Sequence, residues 1–216
     1  MNASLLLSQI LRIGTGLAFI IFPLLFVFAF AVHPGLLTPR LLDSERIIRR
    51  ARGNHLLHFG HVLVTLSTVL LIAIALYFMH LLDQASATWV GFIGAALAIL
   101  GAILLAADKG ALCLTMSALD TLPENEFSQM MPGLLTLFSK KGWLKLLWGI
   151  LLLPIGFAIQ AIALLRTQAI PGWQSILFLI GVLLVGVPDG LEIINLIASV
   201  LMAIAFIPYG ISIIVG

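Results

Sequence analysis

Six stretches of this chain contain no Asp, Glu, Lys or Arg, and each is close to the length a helix needs to cross a bilayer. They run over residues 13–32, 62–79, 89–107, 146–165, 170–187 and 193–215. About 20 apolar residues span the hydrocarbon layer as a helix. Every backbone N–H and C=O in that layer must be paired within the protein, and none of the six runs alternates with the period of two expected of a barrel strand. Helices are therefore predicted. The predicted fold is all-α: a polytopic integral membrane protein, one domain over residues 1–216, built as a bundle of six transmembrane helices with short interfacial helices on the cytoplasmic side. Pro23, Pro154 and Pro208 fall inside the runs and predict local kinks. Pro188, Asp189 and Gly190 read as a turn, which makes the last two spans a tight hairpin.

The longer connections carry their own pattern. His33-Pro34-Gly35 stops the first helix, and Thr38-Pro39 reads as an N-cap followed by proline at the first helical position. A short surface helix through Arg52 follows, with Leu41, Leu42, Ile47, Ile48 and Ala51 as a ragged apolar stripe suited to the membrane interface. Residues 108–122 continue the third helix beyond the membrane limit until Pro123 ends it. Residues 134–149 mix leucines with three lysines and two tryptophans, as expected of a segment in the headgroup zone.

Composition sharpens the class. Hydrophobic residues make up 62% of the chain and charged residues 9%, against about 45–50% and about 25% in soluble domains. So few charges cannot cover a water-soluble fold of this size. Of the eleven Lys and Arg, nine lie in the odd-numbered connections: Arg40, Arg46, Arg49, Arg50, Arg52, Lys109, Lys140, Lys141 and Lys145. Arg12 and Arg166 fall on the other face. That bias places the arginine-rich face in the cytoplasm and both termini on the opposite side, in a bacterial plasma membrane. The net charge of +2 and pI near 9.0 then point to anionic lipid headgroups rather than nucleic acid. A cleaved signal peptide ending near Ala29-Phe30-Ala31 is the competing reading, but the apolar run is too long and the arginines that follow resist translocation. The single cysteine, Cys113, excludes an internal disulfide and paired-thiolate metal motifs. No internal repeat is visible, so an inverted-repeat transporter has no support.

The chemistry-bearing residues collect at the predicted cytoplasmic face. His55, His58 and His61 recur every three residues, covering an arc of about 120° on a helix. His33 ends the first span, Asp108 and Lys109 end the third, and Asp189 and Glu192 precede the sixth. Only His80 and Asp83 fall at the other face. Three readings remain open. In the plainest, the histidines start an interfacial helix capped by Asn54. In the second, His55, His58 and His61 bind a metal ion with the carboxylates of Asp108 and Glu192. In the third, His33, His58 and His61 supply haem ligands from two helices. The spacing matches no metalloprotease pattern.

Glu192 suits the positive end of the last helix, with His61 and Lys109 as its expected partners. Asp108 and Lys109, about 100° apart on a helix, are not expected to pair. Gln160 predicts an interhelical hydrogen bond. The stripe Gly91, Gly94, Ala95, Ala98, Gly101 and Ala102 predicts a close helix contact, within the bundle or with a second chain through the Gly91-Gly94-Ala98-Gly101 face.

Phosphate-binding loops, dinucleotide fingerprints and nucleophile elbows are absent from the sequence, which removes nucleotide-driven transport and serine hydrolysis. The expectation is a non-catalytic accessory or scaffold subunit that binds other membrane chains or lipids. The alternatives are a metal- or haem-binding membrane enzyme or electron carrier using the histidines, and a small transporter with Glu192, Asn195 and Gln160 along its path.

Overall fold

A computed structural model describes residues 3–34, 36–37, 44–138, 151–185 and 191–216. Among the described residues there are eight helices and no strand: α1 (Ala3–Ala31), α2 (Ser44–Ala51), α3 (His55–Gln84), α4 (Thr88–Leu119), α5 (Glu124–Phe138), α6 (Leu152–Thr167), α7 (Gly172–Leu184) and α8 (Glu192–Val215). Four of them, α1, α3, α4 and α8, are long and apolar enough to cross a membrane. The helices in the fourth and fifth predicted spans, α6 and α7, are shorter, with 16 and 13 residues. Positions 146–150 and 186–187 of those spans, the 188–190 turn, Arg40, Lys140, Lys141 and Lys145 lie outside the described residues.

Local chemistry accounts for the helix ends. Helix α1 stops at Ala31 because Pro34 disfavours a helical conformation at His33. It also starts at Ala3, ten residues before the predicted span. Asn54 caps α3 as its sequence position predicts, its side-chain oxygen accepting from the Leu57 N–H at 3.0 Å. Pro23 and Pro208 sit within continuous helices. Pro154 instead falls in the first turn of α6, where its missing N–H would have had no helical partner. At the α3–α4 turn, the Thr88 hydroxyl donates to Asp83 at 2.7 Å.

The apolar helices pack in chain order as a closed ring: α1 on α3, α3 on α4, α4 on α6, α6 on α7, α7 on α8, and α8 back on α1. Small residues set the seams. A Cβ at Gly210 would lie 2.6 Å from the Gly16 carbonyl oxygen, so glycine at that site lets α8 close against α1. The predicted stripe on α4 is buried within the chain: Gly91 faces Leu82 of α3, while Gly94 and Gly101 face Gln160 and Leu153 of α6. The close contact it forms is therefore internal to the bundle. Gln160 is fully buried, and its amide nitrogen donates to the carbonyls of Ala75 at 2.9 Å and Gly91 at 3.4 Å, tying α6 to both neighbours.

Aromatic rings fill the centre. Phe19 of α1 packs edge-on against Phe78 of α3 and Phe206 of α8, with centroids 5.3 and 5.0 Å apart, and Phe178 of α7 joins them. A cavity of about 30 Å³ lies among Phe22, Phe26, Leu71, Leu153, Phe157, Phe178 and Met202, and its described lining is apolar. The outward surface carries Leu66, Val69, Phe92, Ile103 and Leu183, all exposed.

A second apolar core lies apart from the ring. Helices of 30 and 32 residues are about 45–48 Å long, well beyond the hydrocarbon thickness of about 30 Å. The start of α3 and the end of α4 come together beside α2 and α5, which pack on them. Ile48, Ala51, Leu57, Met116, Leu119, Phe127, Met131 and Leu134 are buried there. The segment around Arg52 is thus part of a folded cap rather than a lone interfacial helix. Sequence reading missed α5, although Pro123 followed by Glu124 and Glu126 is a helix-start pattern.

Candidate functional site

The cap positions one group of chemistry-bearing side chains. Gly53 adopts φ +68, a left-handed conformation that glycine takes without strain, and this turns α2 into α3. The turn aims the Gly53 N–H at Asp120, whose Oδ1 accepts it at 2.8 Å. Asp120 follows the last residue of α4, so its negative charge sits at the unfavourable end of the helix dipole. On the side of α3, Asp120 Oδ2 lies 3.4 Å from His58 Nδ1.

His58 is held from its other side as well. Its Nε2 is 2.9 Å from the Ala51 carbonyl oxygen. A carbonyl only accepts, so this contact requires the proton to be on Nε2. Nδ1 then presents a lone pair to a carboxylate unless it holds a second proton or a cation lies between them. His55, one turn earlier, has its ring centroid 6.5 Å from that of His58. One ligand atom from each of His55, His58 and Asp120 falls within 4.8 Å of the others.

The rest of the predicted site forms a second group nearer the ring. His33 and His61 stack edge to face with centroids 6.1 Å apart. Glu192 is buried, and its Oε1 lies 3.9 Å from His33 Nδ1. Its Oε2 accepts from Asn195 Nδ2 at 3.1 Å. Lys109 Nζ reaches Oδ2 of the adjacent Asp108 at 3.5 Å, although the backbone angle between them predicted no pairing. The four-carbon lysine stem bends back across the 100° that separates the two Cβ directions.

The histidine run therefore divides. His55 and His58 face the cap with Asp120, while His61 faces α1 with His33, and Glu192 of α8 pairs with His33. Asp120 was missed in the sequence because 62 residues separate it from His58. The available signal was an aspartate three residues before a helix-ending proline, where the dipole calls for a compensating cation.

Around this site the cap is tied by Arg52. Its guanidinium pairs with Glu124, donates to the Leu122 carbonyl at 2.6 Å and lies 4.1 Å from the centre of the Phe127 ring. Arg49 bridges Glu45 at 2.9 Å and Glu124 at 3.5 Å. Cys113 is half-buried, and its thiol donates to the His58 carbonyl at 3.7 Å.

No protein family matches this chain, and neither a curated protein nor a solved structure matches it.

Proposed function

We propose that the protein is a six-crossing integral membrane protein of a bacterial plasma membrane, with its cap in the cytoplasm and both termini on the other side. Its role in this reading is that of a non-catalytic accessory subunit, with the cap as the surface that engages another membrane chain. The observation that carries it is the second apolar core. Lipid anchoring alone does not need α2 and α5 folded on a core of their own, and that core holds the cap's outer surface in one shape, which lowers the cost of binding a partner chain. Arg46 and Arg50 are exposed on α2 beside the Arg49 that Glu45 and Glu124 pair, giving that surface a basic face. The aromatic filling of the ring and the apolar lining of its cavity favour a supporting role over passage of a polar solute.

The test is cross-linking in native membranes followed by mild-detergent purification of the wild type, an Arg46→Glu/Arg50→Glu double variant and an Arg166→Glu variant. A stoichiometric second chain retained by the wild type and Arg166→Glu but lost by the double variant supports docking through the cap. Recovery of the wild type as a lone chain under those conditions overturns it.

A further inference from the structure

We propose that His55, His58 and Asp120 bind one divalent transition-metal ion of the zinc class, which staples the α2–α3 turn to the end of α4. The donor set is one that zinc accepts: imidazole nitrogen at about 2.0–2.1 Å and carboxylate oxygen at about 2.0–2.2 Å. Two such ligands on a tetrahedral ion are separated by about 3.4 Å. The distance between His58 Nδ1 and Asp120 Oδ2 is 3.4 Å, so this edge of the tetrahedron is already set.

The outer contacts are those a metal site uses. A ligating histidine usually donates its other ring N–H to a carbonyl or carboxylate, which fixes the tautomer. His58 does this through Nε2 to Ala51, leaving Nδ1 as the free ligand atom. Asp120 is oriented by the Gly53 N–H through Oδ1, which leaves Oδ2 facing His58. His55 completes the set from the exposed first turn of α3, where a rotamer change can shorten its part of the 4.8 Å spread. Three protein ligands leave a fourth position for water or an incoming group. The ion would satisfy the lone pair and the carboxylate that otherwise confront each other, with no proton needed between them.

This site stands independently of the accessory-subunit reading, since it needs neither a partner chain nor a particular membrane orientation. The experiment uses the full chain in detergent, with any histidine tag removed, stripped with chelator and titrated with Zn²⁺ by calorimetry and with Co²⁺ by visible absorption. The expected result is one equivalent of Zn²⁺ per chain and the intense absorption of tetrahedral Co²⁺. His55→Gln and Asp120→Asn should each weaken binding by about tenfold or more, and His33→Gln should not change it. Asp120→Asn keeps an oxygen for the Gly53 N–H, so the cap's resistance to protease without metal, compared with wild type, separates loss of a ligand from loss of the fold. Zn²⁺ binding well below one equivalent, or binding that neither variant weakens, overturns the proposal.

Discussion

Two glycines that look alike in the sequence make opposite demands. Gly156 lies on the α4–α6 seam, and a Cβ there would come within 2.6 Å of the Gly94 carbonyl oxygen, a backbone atom that cannot move without its helix. Gly156→Ala should therefore cost about 1–3 kcal/mol through overpacking. Gly133, in the cap helix α5, has open space on that side: a Cβ there would meet nothing within 4 Å, and there is no left-handed backbone to lose. Gly133→Ala should stabilise the helix by about 0.5–1 kcal/mol. Thermal unfolding of each variant in the same detergent, with α5 amide exchange followed for Gly133→Ala, checks both signs. Gln160 shows how far sequence reading reaches at this scale. A lone amide in an apolar run implied an interhelical hydrogen bond, but its two acceptors are backbone carbonyls of α3 and α4, and backbone acceptors leave no mark in sequence.

At the scale of elements, the cap should respond separately from the ring. Phe127 is fully buried in the cap core, under the Arg52 guanidinium, and far along the chain from the ring aromatics. Phe127→Ala should cost the cap about 3–5 kcal/mol. Amide exchange should accelerate in α2 and α5 while the middle of α3, around the buried Ile74 and Phe78, keeps its protection. Acceleration spread evenly over α3 would mean that cap and ring unfold as one unit. Arg52→Lys should loosen the same helices, because an ammonium cannot reproduce the planar contacts to Phe127, Glu124 and the Leu122 carbonyl at once. Protease sensitivity at α5 reads that change. The cap was only partly legible. The extension of α4 past its predicted span could be read from residues 108–122, and the Asn54 cap from its position before the histidines. The docking of α2 and α5 depends on Ile48, Met116 and Phe127 meeting across three separate segments, and no local period encodes that meeting.

For the whole molecule, six crossings and the basic-face orientation make a joint prediction. In a Cys113→Ser background, a cysteine at Arg50 should be labelled only from the cytoplasm, and cysteines at Ser86 and Gln168 only from the outside. Membrane-impermeant maleimide on intact and opened cells measures this. Labelling of Ser86→Cys and Gln168→Cys from opposite sides would refute the crossing count, and outside labelling of Arg50→Cys would refute the orientation. The all-helical class follows from the sequence alone, because backbone pairing in lipid leaves long apolar runs few alternatives. Helix ends at Ala31 and Asn54 follow too, since proline and capping side chains act within a few residues. The rotation of each helix had to come from the tertiary structure. Helices apolar on every side have no strong amphipathic face to declare which residues point inward. Only packing closed the ring through Gly16 and Gly210, turned the α4 stripe onto α3 and α6, sent His61 towards His33, and brought Asp120 to His58.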